Sequence, residues 1–358
     1  MKNKDFNSGE FYSGINSKNR FASSSFINDT KKSSIVIIAS VVVLIVITCV
    51  FFATFGGFSV PAFNPFDNDE PQNPPDEPAK PTYVASEGGK GMYQMDLFSE
   101  YAILVRVSDL ETIAHKYADE TIYPASMTKV MTIITALDYI EDLDDIYTFE
   151  PSVLSDLTGL ESTAEMRYLY NVYGSDTYTV RDLLYGISYR SGADSVVCLL
   201  DYLDLDVTEF AALMNKKAEE IGLQNTTFGG AIGMDSENNT TTCRDIAAIM
   251  TYAMKNPVCV DLFGGISYRL DHIDMTYYNL TLSRTLGNMG TTPDKVLGDD
   301  YTLVAVKSGF EDNAGYCLVS YIKNDVTGET FVLVTAKAPT SIRNTILDME
   351  TIFDKFKP

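Results

Sequence analysis

Histidine is scarce in this sequence, which contains only His115 and His272. A Ser-His-Asp hydrolase or a histidine-rich zinc peptidase would need one or both at its site. Neither lies in a His-Glu-x-x-His or similar ligand spacing. We interpret both as isolated surface or core residues. If the chain carries a hydrolytic site, its general base must be a different kind of side chain.

Cysteine is also sparse and shows no metal-binding pattern. Cys49 lies in a long apolar run, and Cys198, Cys243, Cys259 and Cys317 form no Cys-x-x-Cys pair or zinc spacing. The irregular spacing of the latter four argues against a disulfide framework, although disulfide bonds among them are possible outside the cell.

Basic residues are few, since 27 Lys and Arg stand against 49 Asp and Glu, for a formal net charge of -22. Residues 1–34 hold six basic and three acidic residues, so the rest of the chain carries all of the negative excess. A domain this acidic is not expected to bind nucleic acid or an anionic membrane surface.

One long apolar run is present, at residues 35–55, and no charged residue interrupts it. About 20 such residues span a bilayer as a helix. Lys31 and Lys32 precede the run and acidic residues follow it, so the positive-inside bias places the N-terminus in the cytoplasm. The alternative, a cleaved signal peptide, usually has a shorter apolar region and leader. We predict a single-pass protein of the cell membrane whose folded part is extracellular.

Composition and hydrophobic pattern divide the chain into four regions. Residues 1–34 show no helical or strand period and are predicted to be a disordered cytoplasmic leader. The transmembrane helix at 35–55 follows. Residues 56–84 are a proline-rich acidic linker that would hold the folded part away from the bilayer. The folded domain is predicted to cover residues 85–358.

Apolar periodicity predicts strands near both ends of this domain and helices between them. The predicted strands are 101–107, 112–117, 302–306, 316–322 and 330–336. The predicted helices begin near 125, 180, 195, 209, 244 and 342, with Gly222 as a C-cap and a stop near Pro257. Strands from both termini would form one sheet, with a helical region inserted between them, which is an α+β architecture.

Ser126 is followed three residues later by Lys129, in an apolar stretch predicted to be helical. Side chains at this spacing share one helix face. A serine becomes a good nucleophile when a base takes its proton, and a buried lysine can be that base, because burial disfavours its charged form. Lys307 could lower the pKa of Lys129 further. The other Ser-x-x-Lys pair, Ser320 and Lys323, lies in a predicted strand and would point to opposite faces.

Lys307-Ser308-Gly309 is predicted to end a strand. Glycine there would let a substrate backbone approach closely, while the hydroxyl and the amine could hold a carboxylate. An extended peptide could add to this strand edge as a further strand. Alone, the motif is also compatible with an ordinary strand end.

In order along the chain, the folded region resembles the serine-type D-alanyl-D-alanine carboxypeptidases, the low-molecular-mass penicillin-binding proteins, which have a β-lactamase/transpeptidase-like fold. The stretches that carry the resemblance are Pro124-Ala125-Ser126-Met127-Thr128-Lys129, Leu183-Leu184-Tyr185-Gly186, Ser191-Gly192-Ala193-Asp194, Met214-Asn215-Lys216-Lys217-Ala218, Gly222-Leu223, Asn225-Thr226-Thr227-Phe228, Arg244-Asp245, Lys307-Ser308-Gly309-Phe310 and Ala314-Gly315-Tyr316-Cys317.

The resemblance implies an antiparallel sheet packed with helices, a mainly helical subdomain, and a site between the two. It implies that Ser126 is acylated, that Lys129 is its base and that Ser191 relays a proton to the leaving amine.

The remaining implied roles concern binding. The resemblance implies that Lys307, Ser308 and Gly309 hold substrate, and that backbone N–H groups of Ser126 and Phe310 form an oxyanion hole. Arg284 is a candidate for binding the terminal carboxylate. The implied substrate is a peptidoglycan stem peptide ending in D-Ala-D-Ala, and the implied inhibitors are β-lactams. No metal or cofactor is implied.

Two positions depart from the family pattern. The middle motif usually ends in asparagine, whose amide contacts the substrate backbone, and here the residue is Ala193. Losing one such contact costs about 1–3 kcal/mol of transition-state binding. Ser308 replaces a threonine but keeps the hydroxyl.

Two alternatives stay open. The chain could be a catalytically weakened scaffold or sensor, with Ala193 as the lesion. It could also be a β-lactamase, which needs fast deacylation and often a positioned glutamate, for which Glu161 and Glu165 are candidates.

Overall fold

The computed structural model describes residues 83–157, 177–270, 275–278 and 297–357. The predicted leader, the membrane segment at 35–55 and almost all of the linker lie outside these ranges, as do Glu161, Glu165, His272 and Arg284. Those predictions therefore remain predictions. Within the described ranges, no helix combines the length and the hydrophobicity that a membrane crossing needs.

The predicted strands and helices occur in the predicted order among the described residues, together with five short strands and one helix that were not predicted. The strands are β1 (Lys90–Gly91), β2 (Tyr101–Arg106), β3 (Glu111–Lys116), β4 (Ile146–Thr148), β5 (Thr177–Thr179), β6 (Ser267–Leu270), β7 (Met275–Tyr278), β8 (Tyr301–Glu311), β9 (Gly315–Asn324) and β10 (Thr330–Ala338). The helices are α1 (Thr128–Ala136), α2 (Val180–Arg190), α3 (Ala193–Tyr202), α4 (Val207–Ile221), α5 (Cys243–Ala253), α6 (Pro257–Gly264) and α7 (Ile342–Phe356). Short 3-10 helices cover Ala125–Met127 and Pro151–Leu157.

The main sheet has six strands in the order β1-β3-β2-β10-β9-β8. Its centre joins the two ends of the domain, because β2 pairs antiparallel with β10, with Leu104 opposite Leu333. All pairs are antiparallel except β1 with β3, which is parallel. The prediction of one sheet built from both ends, in an α+β fold, is confirmed. β8 forms one edge of this sheet.

The two faces of the sheet are covered by different elements. One face packs on the helices between the terminal strands, with inward residues such as Val319 and Val334 in the larger core cluster. The other face packs on α7 through residues such as Leu318 and Leu333. At about 25 cal/mol per Å² of apolar surface removed from water, burial on both faces of β9 and β10 is the main contribution that fixes the sheet.

Helix ends follow the local sequence signals. α2 starts with a capping box in which Thr179 accepts from the N–H of Asp182 and Asp182 accepts in return. Asp206 and Glu209 form the same arrangement at the start of α4. α4 ends at Gly222, which adopts the left-handed conformation with φ 92°, so the predicted C-cap is confirmed.

One predicted boundary is confirmed and another differs. The helix expected to stop near Pro257 ends at Ala253, and Pro257 itself starts α6, because proline at the first helical position loses no hydrogen bond there. Lys307-Ser308-Gly309 was expected to end a strand, but β8 continues to Glu311 and pairs with β9 along that length. The motif therefore lies inside an edge strand.

Candidate active site

Ser126 and Lys129 lie at the start of the helix that runs beneath the edge of the sheet. The chain enters through Ala125, whose φ of 46° is in the left-handed region, and forms one 3-10 turn before α1. This start places the Nζ atom of Lys129 3.0 Å from the Oγ atom of Ser126. Ser126 is half-buried, whereas Lys129 is only 1% exposed. The predicted serine–lysine pair is therefore formed, with the amine withdrawn from solvent.

A loop after α4 holds the amine from the other side. Lys129 Nζ donates to the backbone carbonyl of Ile232 at 2.6 Å, and Thr132 Oγ1 donates to the neighbouring carbonyl of Ala231 at 2.7 Å. Gly233 follows with φ +89°, and a Cβ there would lie 2.2 Å from the carbonyl oxygen of Ala125. Only glycine fits this approach. Sequence patterns did not reveal this loop, because its contribution is a backbone carbonyl.

The environment of Lys129 disfavours its charged form. Burial lowers the pKa of Lys129 from 10.5 to about 8, while the carboxylates of Glu311 and Asp194 act in the opposite direction. Desolvation is the largest cause of the lowering, as the sequence predicts, and the charges acting on Lys129 are those of Glu311 and Asp194, which are negative. A substantial fraction of this amine is neutral near pH 8, which allows it to accept a proton.

A second serine–lysine pair lies beside the first. Lys307, which is fully buried, donates from Nζ to the Oγ atom of Ser191 at 3.0 Å and to the carbonyl of Ser308 at 2.8 Å. Ser191 ends α2 in the left-handed conformation, with φ 59°. Non-glycine residues adopt this conformation at a cost of about 1–3 kcal/mol, and such residues cluster at functional sites. The predicted contact between the middle and last motifs is thus present.

Gly309 brings the edge strand against the start of the helix. A Cβ on Gly309 would lie 2.9 Å from both the Cβ of Ala125 and the backbone N of Ser126. The strand and the nucleophilic serine can approach this closely only because position 309 has no side chain. Phe310, the next residue, is 47% exposed and its ring packs on Tyr316 with centroids 4.4 Å apart.

Glu311 is a residue that sequence reasoning missed. It is 6% exposed, at the end of β8. Its position two residues after Gly309 and four after Lys307 puts it on the same strand face as both. That period-two spacing, in a strand predicted to end earlier, is the signal that could have identified it.

Ala193 occupies the first position of α3 and is fully buried with Leu157 and Val197. The methyl group is therefore part of an apolar cluster. Arg284, the candidate for carboxylate binding, lies outside the described residues. Glu161 and Glu165, the candidate glutamates of the β-lactamase alternative, do so too.

The residues set aside at the sequence level do not join the site. Ser320 is buried on β9 while Lys323 is exposed, as expected for a strand. His115 is half-buried beside Tyr93, with ring centroids 5.8 Å apart.

Cys198, Cys243, Cys259 and Cys317 are buried and free. Burial raises the pKa of the Cys198, Cys259 and Cys317 thiols to about 12, so they stay protonated at neutral pH. The described residues include no group of three or more His, Cys, Asp or Glu arranged to hold a metal ion.

The arrangement has the parts that serine acyl transfer requires. A hydroxyl contacts an amine whose pKa is shifted towards neutrality, and a second hydroxyl, at the end of α2, contacts a second amine on β8. The backbone N of Ser126 lies at the start of a helix, where N–H groups have no intrahelical partner and favour developing negative charge. The edge strand alongside can pair with an extended peptide.

Comparison with known proteins agrees with this chemistry. Residues 89–340 match the family model described as D-alanyl-D-alanine carboxypeptidase. The chain is 27% identical over 267 residues to the D-alanyl-D-alanine carboxypeptidase DacF of Bacillus subtilis, covering 72% of this chain and 63% of that protein. It is 31% identical over 151 residues to DacC of Escherichia coli, covering 41% of this chain and 37% of that protein. The chain thus spans less than two thirds of the length of both relatives.

Solved structures show the same fold. The Streptomyces K15 DD-transpeptidase superposes with a TM-score of 0.61 and 24% identity, covering 73% of this chain and 97% of that one. Penicillin-binding protein D2 of Listeria monocytogenes gives a TM-score of 0.60 at 21% identity, covering 74% and 99%. Since the family model matches well over half of the chain, this protein belongs to the D-alanyl-D-alanine carboxypeptidase family.

Proposed function

We propose that this protein is a serine D-alanyl-D-alanine carboxypeptidase that removes the terminal D-alanine from peptidoglycan stem peptides through an acyl-enzyme on Ser126. The observation that carries the proposal is the 3.0 Å contact between Ser126 Oγ and the buried amine of Lys129. A neutral amine in that position can take the proton of the hydroxyl as the hydroxyl attacks.

In the first step, the Ser126 Oγ–H proton passes to Lys129 Nζ while Oγ bonds to the carbonyl carbon of the penultimate D-alanine. Negative charge develops on the carbonyl oxygen. The backbone N–H groups of Ser126 and Phe310 are the proposed donors to it, because Gly309 holds β8 against the helix start.

In the second step, the peptide C–N bond breaks and the leaving amine needs a proton. Ser191 is the proposed relay, since its hydroxyl contacts Lys307 and lies at the same cleft. D-Alanine then leaves, and the acyl group remains as an ester on Ser126. A water molecule attacks that ester, which releases the shortened peptide as a carboxylate and returns the proton to Ser126 Oγ.

β-Lactams would acylate the same serine, because their amide carbonyl presents the same electrophile. The Listeria monocytogenes relative was solved in a cefotaxime-bound form, which supports this for the fold. We also propose that residues 35–55 anchor the protein in the cell membrane, with the folded domain outside, on the strength of the uncharged apolar run.

The test is labelling with a fluorescent penicillin, followed by release of D-alanine from a peptide ending in D-Ala-D-Ala. We expect labelling and release by the wild type and neither by Ser126→Ala. The matched control is Ser320→Ala, which removes the serine of the other Ser-x-x-Lys pair. Its Oγ has no hydrogen-bond partner in the described part of the chain, so the variant should behave as wild type. Label that persists on Ser126→Ala would refute the proposed nucleophile.

The pH dependence follows from the amine. Acylation needs the neutral form of Lys129, whose pKa is about 8, so the second-order rate of acylation should rise with pH and level off above about 8. An ordinary exposed lysine would place this limb above pH 10. A flat profile between pH 6 and 9 would exclude Lys129 as the base.

A further inference from the structure

Glu311 is a buried acid at the active-site end of the edge strand, and the proposed mechanism gives it no role. It follows Lys307 and Gly309 on the strand face that packs against the helix start. Lys307 contacts Ser191, and Gly309 contacts the backbone of Ser126. Glu311 is therefore the next inward position of the strand after two that belong to the site.

The surroundings of Glu311 contain more negative than positive charge. Asp235 lies on the loop that also carries Ile232, and this loop is tied to the end of β8 because the backbone N–H of Asn313 donates to Asp235 Oδ2 at 2.7 Å. Asp312 is the exposed neighbour on the strand. The charged groups that act on Glu311 are Asp235, Asp312 and Lys129, and only the last is positive.

A protonated acid suits this location. Asp235 Oδ1 is buried and has no hydrogen-bond partner among the described residues. An ionised Glu311 has no proton to donate to an acceptor, whereas a protonated Glu311 has an O–H that can be donated.

We propose that Glu311 is a positioning residue for the acylation step, which sets through its own charge the fraction of Lys129 that is neutral. The inference rests on the proposed function. Lys129 is acted on by two carboxylates, Glu311 and Asp194. Asp194 lies in the first turn of α3, on the side of the middle motif. Glu311 lies on β8. The helix α3 and the edge strand therefore each contribute one carboxylate that acts on Lys129.

Glu311 and Lys129 titrate over overlapping pH ranges, so the charge of one affects the protonation of the other. Burial, then the charge of Asp235, raise the pKa of Glu311 to about 7, against about 8 for Lys129. Below pH 7 Glu311 is mostly protonated and does not stabilise the lysine cation. As pH rises through 7, Glu311 ionises and favours the charged form of Lys129. Lys129 therefore stays protonated to a higher pH than it would with an uncharged residue at position 311.

The experiment measures the second-order rate of acylation by fluorescent penicillin from pH 5.5 to 9.5 in the full chain. The variants are Glu311→Gln and Glu311→Met, which remove the charge with little change in volume. We expect both to shift the midpoint of the rising limb to lower pH by about half a unit, because Glu311 is only partly ionised where Lys129 begins to lose its proton. Between pH 7 and 8 acylation should be about 1.5-fold faster than in the wild type, and at pH 5.5 and 9.5 the rates should be equal. A faster enzyme is not what damage to the structure produces.

The controls separate charge from packing. Asp312→Asn removes a charge one residue away at an exposed position. That charge acts on Glu311, as the smallest of its causes, and not on Lys129, so the limb should move much less than in Glu311→Gln. Glu311→Asp keeps the charge and should retain the wild-type limb even if its overall rate is lower. Thermal unfolding of each variant reports whether the fold is intact.

The outcomes are distinct. If the wild type is not acylated at any pH, the proposed function fails. If the wild type is acylated but its rising limb coincides with those of Glu311→Gln and Glu311→Met, only the role of Glu311 is refuted. The same holds if both variants are slower than the wild type by a constant factor at every pH. Should neither variant fold, the wild-type profile decides. Coupling to Glu311 predicts a limb broader than a one-proton titration, and a one-proton limb would overturn the proposal.

Discussion

The active site contains two buried serine–lysine pairs with equal contact distances and different origins. Ser126 and Lys129 are three residues apart and meet at 3.0 Å because one helix start holds both. Ser191 and Lys307 also meet at 3.0 Å, but they are 116 residues apart and belong to a helix end and a sheet edge. In the first pair, Lys129 Nζ also donates to the backbone carbonyl of Ile232 in a distant loop. In the second pair, Lys307 Nζ also donates to the carbonyl of Ser308, its neighbour in the chain.

The contrast shows that one contact can serve two purposes. The first pair holds the nucleophile, and the pKa of its lysine is lowered by burial. The second pair joins the helical part to the sheet, so it can fix the width of the cleft as well as move a proton. Lys217 is a third buried lysine, but it lies outside the site and forms ion pairs with Asp138 and Glu220. Burial acts to lower the pKa of Lys217, but the two carboxylates outweigh it and raise the pKa above its usual value.

The largest effect should come from Lys129→Met. It removes the base from the first pair while filling the same space, and loss of a general base reduces a rate by about 10²–10⁴-fold. Acylation by labelled penicillin, followed over time, measures the loss. Lys217→Met is the matched control: a buried lysine outside the site, whose loss should lower stability and leave acylation per folded molecule unchanged. Equal loss in both variants would break the distinction between the two kinds of lysine.

The next effect should come from Gly309→Ala. The added Cβ would lie 2.9 Å from the backbone N of Ser126, so β8 must move away from the first pair. Overpacking of this kind costs about 1–3 kcal/mol, and acylation should fall by about tenfold to a hundredfold.

The matched control for that change is Gly230→Ala, whose Cβ would meet only Val207 Cγ1 at 3.7 Å and should be tolerated. If Gly309→Ala acylates at the wild-type rate, the close approach of strand and helix is not needed for function.

Ser191→Ala tests whether the two pairs work independently. We expect D-alanine release to fall by about tenfold, because the proton relay and a partner of Lys307 are lost. The pH limb of acylation should stay near pH 8, since Ser191 is not among the groups that act on the pKa of Lys129. A limb displaced by a unit or more would mean that the second pair controls the first.

The smallest change in rate should come from Ala193→Asn. This substitution introduces the amide expected from the family pattern, but the methyl group it replaces is buried with Leu157 and Val197. Burying an amide without a partner costs about 1–3 kcal/mol, so chemical denaturation should show a lower free energy of unfolding. D-Alanine release should change by less than tenfold. A stable variant with much faster release would instead identify Ala193 as a lesion in the cleft.

Much of the fold could be predicted from periodicity. The strands at 101–106 and 330–338 and the helix Ile342–Phe356 lie where apolar spacing placed them. The helix end at Gly222 was also predicted, whereas the capping box at Thr179 was found only in the structure. The helix that begins at Pro257 was missed, although the stop before it was predicted. The length of β8 was underestimated, because a strand that pairs on one side continues past a glycine when its partner does.

The Ser126–Lys129 pair was determined by the sequence alone, because a helix brings residues three apart to one face whatever surrounds it. The tertiary structure decided everything that depends on distant segments. It buried Lys129 under the 231–233 loop, joined Ser191 to Lys307 and set Gly309 against Ser126. It also placed Glu311 on the strand face that meets the start of the helix carrying Lys129. Desolvation and charge act through space, so the pKa of a lysine depends on residues that local sequence cannot identify.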